Sequence, residues 1–213
     1  WLYFRLRMRG CAAMLAASMD NPAMFAIGLT LAWLAGVRVY LTVFGIGLAG
    51  AMGWIALPPA LQATASPWVI GTCGALALVE CFADKIPGVD TGWDLLHTLL
   101  RIPVGAFLAA AAISPDGSLH AGALLGGGAL ALTSHGIKSG TRALINTSPE
   151  PLTNWSASLG EDAVSLAALA LLVAHPWLAL GLSVTALLLA ALIASWIFRA
   201  VLRRFSRGTE ATA

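Results

Sequence analysis

Long apolar segments recur along the whole chain, separated by short polar or turn-forming stretches. Most are close to the roughly twenty residues that a helix needs to cross a bilayer. Turn signals such as Ser114-Pro115-Asp116-Gly117 and His175-Pro176 divide neighbouring segments. The pattern predicts an all-α, polytopic membrane protein with six transmembrane helices, over residues 23–48, 67–83, 93–113, 119–132, 155–174 and 177–198.

The two ends of the chain differ from this membrane domain, which we place at residues 23–199. Residues 1–22 alternate basic and bulky side chains and contain only about nine consecutive apolar residues, too few to span a bilayer. We expect them to lie at the membrane interface, with arginines near anionic lipid. Residues 200–213 form a basic tail, which we expect in the cytoplasm.

Composition supports the membrane class, because 59% of the 213 residues are hydrophobic, only 10% are charged and the mean hydropathy is +0.84. A water-soluble domain of this length does not have that balance. Lys and Arg flank the segments on one side only, around Lys85, around residues 138–151 and at both termini. By the positive-inside rule we expect both termini in the cytoplasm. Membrane lipids, and not nucleic acid, are the expected partners.

An internal similarity relates the first and fourth segments. Gly36-x-Arg38 and Gly140-x-Arg142 each precede a Pro-containing loop and a segment with two acids. The acids are Glu80, Asp84, Glu161 and Asp162. Because each half (residues 23–113 and 119–199) has three helices, a repeat would be inverted across the membrane, as in many transporters. The alternative is a six-helix bundle without internal symmetry.

Charged residues also recur at helical spacing. Asp94, His97 and Arg101 fall on one side of a helix, as do His135, Lys138 and Arg142. Pro87 and Gly88 break the chain between the second and third segments, so that their charged faces can fold together. The candidate binding residues are Arg38, Glu80, Asp84, Asp94, His97, Arg101, His135, Lys138, Arg142, Glu161 and Asp162.

Three interpretations of these residues remain open. The cations could bind an anionic headgroup or solute, with the acids as counter-ions or proton carriers. The carboxylates and His97 could instead hold a hard cation. Finally, the charges could pair only to neutralise one another.

Other local patterns carry less chemistry. Cys73 and Cys81 are about 12 Å apart along one helix, which is too far for a disulfide, so we expect free thiols. The pairs Gly122/Gly126 and Gly136/Gly140 have the spacing of close helix contacts. No catalytic or phosphate-loop motif is present, so a role without catalysis is favoured and no cofactor is expected.

Two stretches resemble a known family. They are Ala-Asp-Lys-Ile-Pro-Gly-Val-Asp90 with Trp93, Asp94 and His97, and Ser134-His-Gly-Ile-Lys-Ser-Gly-Thr-Arg142 with the segment from Asn146 to Pro151. Together they resemble an uncharacterised family of small bacterial multi-pass inner-membrane proteins, known only as a domain of unknown function. The resemblance implies a bacterial inner-membrane location and brings no activity with it.

The leading expectation is therefore a transporter or flippase for a small anionic solute or lipid headgroup. A membrane scaffold or assembly protein is the alternative, and a cation transporter or lipid-modifying enzyme comes third. Self-association into a homo-oligomer is left open. A water-accessible cavity at Arg38, Glu80, Arg142 and Glu161 would favour transport, whereas a dry interior with every charge paired would favour the scaffold.

Overall fold

A computed structural model describes residues 21–86, 88–114, 117–147 and 151–210, and every regular element within these ranges is a helix. The elements are α1 (Asn21–Ala51), a 3₁₀ segment (Pro59–Ala65), α2 (Pro67–Ala83), α3 (Val89–Ile113), α4 (Ala121–Ile145), α5 (Pro151–Ala174) and α6 (Pro176–Glu210). The all-α prediction is confirmed for this part of the chain. The predicted interfacial segment, residues 1–22, lies outside the described residues except for positions 21 and 22. Helix α6 extends to Glu210 and so continues into the predicted basic tail, residues 200–213.

Local chemistry explains where α2 and α3 begin. Ser66 caps α2, because its Oγ accepts a hydrogen bond from the backbone N–H of Val69 at 3.3 Å, and Pro67 occupies the first turn. Gly88, immediately before α3, has a φ of 86°, a left-handed conformation that favours glycine. The predicted break between the second and third segments is therefore confirmed.

Within the described part of the chain, four helical segments are long and apolar enough to cross a membrane: Ala23–Ala51, Val89–Ile113, Leu152–Ala174 and Pro176–Arg199. Helix α2 has only 17 residues, but it forms a fifth candidate together with the 3₁₀ segment, to which it is bent by 66°. Helix α4 has 25 residues and is polar in its second half. The fold is thus consistent with a polytopic membrane protein, although six membrane crossings are not confirmed.

Helix α1 lies at the centre and packs against each of the other five helices. In its most apolar window 67% of the residues are buried, compared with 11% for α6. Large apolar side chains on outer helices are exposed instead, for example Leu99 at 82%, Leu125 at 75% and Trp196 at 71%. A surface of this kind suits a hydrocarbon environment and not water.

Small residues bring α1, α3 and α4 close together. A Cβ at Gly36 would collide with the Ala131 carbonyl and the Ser134 hydroxyl, so only glycine fits between α1 and α4. By contrast, no atom of another described helix lies within 4 Å of a Cβ built on Gly122, Gly126, Gly136 or Gly140. The interpretation of those two pairs as close helix contacts within the chain is wrong, because they lie on the outer face of α4.

The packing does not confirm an inverted repeat. If α4 were equivalent to α1, it would pack on α5 as extensively as α1 packs on α2. The backbone of α4 instead packs mainly against α3, α1 and α6 and approaches the backbone of α5 at few positions.

Candidate functional site

Ten of the charged side chains meet in one continuous network, which we call the ion-pair cluster. Its cations are Arg38, Lys85, Arg101, Lys138 and Arg142, and its anions are Glu80, Asp84, Asp94, Glu161 and Asp162. They come from helices α1 to α5 and from the turn that follows α2. Nine of the eleven candidate binding residues belong to the cluster, and Lys85 is its additional member.

The inner half of the cluster is closed to solvent. Arg101 binds Glu80 at 2.6 Å and Asp94 at 2.9 Å, and Lys138 then joins Asp94 at 3.2 Å to Asp84 at 2.8 Å. All five side chains are at most 2% exposed. Here α2, α3 and α4 are tied together by alternating charges.

Arg38 connects this inner half to α5. Its Nη1 lies 2.6 Å from Asp84, whereas its Nη2 lies 2.9 Å from Asp162 and 3.5 Å from Glu161. Arg142 binds Glu161 at 3.0 Å, and Lys85 lies 3.5 Å from Asp162. One end of the Arg38 guanidinium is thus fixed on a buried acid, and the other end faces the two adjacent acids of α5.

Helix α1 is interrupted at Arg38, whose φ of −142° and ψ of 76° lie outside the helical region. The interruption frees backbone carbonyl groups from the helical ladder, and cations from other helices bind them. Arg101 donates to the Gly36 carbonyl at 3.4 Å, and Lys138 donates to the Val37 carbonyl at 3.3 Å. Irregular backbone in the interior of a helical bundle is tolerated where such donors satisfy it.

Electrostatics explain why the charges are paired. Removing an ion from water costs several kcal/mol, which only close partners can offset. Five cations face five anions, so the cluster is neutral as a whole. Glu80 Oε2, Asp84 Oδ1 and Asp94 Oδ2 are nevertheless buried without a hydrogen-bond donor among the described residues. The carboxylates therefore retain capacity to accept a further donor.

Exposure increases toward α5. Glu161 and Asp162 are 21% and 19% exposed and Lys85 is 12% exposed, while Arg38 is 1% exposed. Asp162 and Glu161 border two clefts on either side of α5. Any ligand that reaches the cluster would meet the α5 carboxylates first.

The first cleft, which we call the α2–α5 cleft, has a volume of about 460 Å³. Arg38 and Asp162 form its polar end. Apart from Cys81, the remaining wall is apolar: Leu41, Phe44, Gly74, Ala77, Leu78 and Leu166. Leu78 is 63% exposed, so the cleft opens at the side of the helix bundle.

A second cleft of about 400 Å³ lies between α1, α4, α5 and α6, and Glu161 is its charged residue. The outer face of α2 carries a shallower depression, of about 680 Å³, lined by Trp68, Gly71, Ala75 and neighbours without a charged group. Of these three sites among the described residues, the α2–α5 cleft is the one that combines a cation and an anion with an apolar wall. It is therefore the best candidate for a ligand site.

Two predicted site residues lie apart from the ion pairs. His97 stacks on Trp93 at a ring separation of 4.1 Å, contacts the Tyr40 ring and hydrogen-bonds the Trp93 carbonyl through Nδ1 at 2.8 Å. The His135 Nδ1 accepts from Arg101 at 3.1 Å, so its Nε2 carries the proton and donates to Thr98 at 2.7 Å. His135 supports Arg101, whereas His97 takes no part in the cluster.

Three contributing residues were missed. Lys85 follows Asp84 directly, and Asn154 and Ser158 precede Glu161 on the same side of α5. Ser158 Oγ accepts from Arg38 at 3.2 Å and from Lys85 at 3.3 Å, and the Asn154 carbonyl accepts from Arg142 at 3.1 Å. The helical spacing of Asn154, Ser158 and Glu161 was the available signal.

The cation-site interpretation finds no support in the described part of the chain. No three His, Cys, Asp or Glu side chains there are arranged to hold a metal ion. Each acid of the cluster is bound to Arg or Lys instead.

A bundle of long apolar helices around buried charges is consistent with a polytopic membrane protein. Within that class, the chain belongs to the family described as a domain of unknown function (DUF4126), which matches residues 25–196. The match includes the whole ion-pair cluster and both clefts, and it confirms the resemblance to an uncharacterised family. No curated protein and no solved structure matches the chain.

Proposed function

We propose that this protein is a lipid transporter or flippase that binds an anionic headgroup at the polar end of the α2–α5 cleft. One observation carries the proposal. The α2–α5 cleft is almost entirely apolar, but Arg38 and Asp162 of the ion-pair cluster lie at one end of it. A headgroup would contact Arg38 and Lys85, and an acyl chain would lie along Leu41, Phe44 and Leu166.

The cleft wall favours a lipid over a small water-soluble anion. A soluble ion would have to lose its hydration shell against an apolar surface, which is costly without polar partners along the path. A lipid already has its chain in hydrocarbon and needs polar partners only for its headgroup. The exposed Leu78 side chain at the cleft mouth suits lateral access from the bilayer.

Our topological proposal is six crossings of the bacterial inner membrane with both termini in the cytoplasm. It rests on the one-sided distribution of Lys and Arg. Cysteine introduced by Gln62→Cys in the 3₁₀ segment should react with an impermeant maleimide from outside intact cells. Cysteine introduced by Thr91→Cys, in the first turn of α3, should not react. The reverse labelling pattern would refute this orientation.

The inverted repeat remains a proposal on the grounds of charge pairing. Arg38 and Arg142, one from each half, both bind Glu161 of α5. Both also contact Asp84 in the turn after α2, Arg38 through its carboxylate and Arg142 through its backbone carbonyl. An approximate functional equivalence of the two arginines would explain this sharing despite the unequal helix packing.

A membrane scaffold is the second candidate. It is favoured by the same cluster, because each of the ten charged side chains already has an oppositely charged neighbour. In that case the ion pairs would only fix the positions of the helices, and no ligand would enter.

Reconstitution separates the two candidates. Vesicles of phosphatidylcholine with a trace of NBD-labelled phosphatidylglycerol are treated with dithionite, which bleaches only outer-leaflet label. Wild-type protein should move label between leaflets, and Ala77→Phe, which fills the cleft, should slow this by about tenfold, equivalent to about 1.4 kcal/mol. Ala75→Phe is the matched control on the outer face of α2 and should move lipid as the wild type does.

Bleaching no faster than in protein-free vesicles would refute transport and leave the scaffold. Equal loss of lipid movement in Ala75→Phe and Ala77→Phe would remove the α2–α5 cleft from the proposal.

A further inference from the structure

We propose that an anionic headgroup enters the cluster by replacing Asp162 on Arg38 and that one proton binds Asp162 when it does so. This inference rests on the proposed function and adds a coupling ion to it. The lipid would thus bind as an anion accompanied by a proton, without adding net charge to the protein.

The charge balance of the cluster is the first step of the argument. With five cations and five anions already paired, an incoming anion would leave one negative charge uncompensated in a site shielded from water. An uncompensated charge of that kind is neutralised by taking up a proton when a titratable group is at hand. A neutral cluster therefore favours anion and proton together.

The geometry selects Asp162 as the group that exchanges. Arg38 keeps Nη1 on Asp84, which is 0% exposed, and presents Nη2 to the partly exposed Asp162. Asp162 lines the α2–α5 cleft, whereas Glu161 lines the other cleft. Breaking the bond between Arg38 Nη2 and Asp162 Oδ1 and forming one to a lipid phosphate oxygen leaves the remaining pairs of Arg38 in place.

The charged and titratable neighbours of Asp162 come from three helices and one turn. Arg38 of α1 lies 2.9 Å away, Cys81 of α2 at 3.5 Å and Lys85 of the following turn at 3.5 Å, with Glu161 adjacent on α5. None of the described α6 residues that line the clefts is titratable. When a phosphate occupies Arg38 Nη2, Asp162 loses its closest cation and faces a new anion. Both changes favour its protonated form.

Cys81 provides a readout of occupancy that does not depend on transport. Its Sγ lines the α2–α5 cleft and lies 3.0 Å from Lys85 Nζ, so a bound headgroup should shield it from N-ethylmaleimide. Cys73, two turns earlier on α2 and outside the cleft lining, is the internal reference. Mass spectrometry gives the alkylation rate of Cys81 relative to that of Cys73. Protection is the decrease of this relative rate when phosphatidylglycerol is added to phosphatidylcholine vesicles.

For the wild type we expect the apparent affinity for phosphatidylglycerol, obtained by titrating its fraction at each pH, to rise as pH falls. The slope should approach about tenfold per pH unit, as linkage to one proton requires. Asp162→Asn, which is neutral at every pH, should bind phosphatidylglycerol without this dependence. Asp90→Asn, the control that neutralises an acid outside the ion-pair cluster, should keep the wild-type dependence.

Protection with no pH dependence in the wild type would overturn the inference while leaving the proposed function standing. A pH dependence that persists in Asp162→Asn, or that is lost in Asp90→Asn as well, would also overturn it. Absence of protection at any pH would overturn the lipid site itself, and with it both proposals.

Discussion

Replacing the Glu80–Arg101 pair tests whether the inner half of the cluster is structural. Arg101 Nη2 lies 2.6 Å from Glu80 Oε1, and both side chains are 0% exposed. At an effective dielectric constant of about 20, charges at that separation attract by about 6 kcal/mol, much of which offsets their desolvation. Arg101→Met leaves Glu80 buried without its cation, whereas Asp94 still has Lys138 at 3.2 Å.

We therefore expect each single variant, Arg101→Met or Glu80→Met, to lower the free energy of unfolding by about 3 kcal/mol. The double variant removes both charges and should lose only about 1–2 kcal/mol, because no unpaired ion remains at this end. Equilibrium unfolding in detergent measures all three values. After reconstitution into vesicles, lipid movement by the double variant should match the wild type, since neither residue lines the α2–α5 cleft.

Additive losses, with the double variant about 6 kcal/mol less stable than the wild type, would refute the assumed pairing. A stable double variant that moves no lipid would place Glu80 and Arg101 in the transport mechanism instead of the supporting structure.

Three further predictions concern packing, the turn before α3 and the aromatic contact. Gly36→Leu should lower stability by about 3 kcal/mol or prevent folding, because its side chain would overlap Ala131 and Ser134, while Gly140→Leu on the outer face should change the melting temperature little. Asp90 accepts hydrogen bonds from Asn146 Nδ2 at 3.0 Å and from the Gly88 N–H at 2.9 Å. Asp90→Ala should therefore lower the free energy of unfolding by about 1–3 kcal/mol in thermal unfolding. An unchanged stability would show that these hydrogen bonds do not hold the turn. His97→Phe keeps an aromatic ring on Trp93 and should leave lipid movement within about twofold of wild type; a large loss would return His97 to the site.

The helices could be predicted from the sequence because their signals are local. The length of the apolar runs and the turn residues between them predicted a second helix at residues 67–83, and α2 has these bounds. The same signals correctly placed the break before α3. The fourth segment was expected to be apolar only to residue 132, yet α4 continues to Ile145. Its second half is polar because Lys138 and Arg142 are directed into the ion-pair cluster, where acids from other helices compensate them.

The residues of the site could largely be found by the same reasoning, since buried charges in an apolar chain need partners. Their directions were harder to judge. At about 100° per residue, Arg101 is only about 20° from Asp94 around α3, whereas His97 is about 60° away. That offset is enough for Asp94 and Arg101 to bind one another while His97 turns toward Trp93 and Tyr40.

The sequence by itself determined the class of protein, the helical segments and the set of charges that must be neutralised. Only the tertiary structure decided which charge meets which, because Arg38 reaches Asp162 and Ser158 more than a hundred residues away. It also decided that close helix contacts form at glycines such as Gly36, Gly105 and Gly127, and not at the regularly spaced pairs of α4. Pairing, clefts and close contacts depend on which helix faces are neighbours, and helical periodicity specifies a face without specifying what lies opposite it.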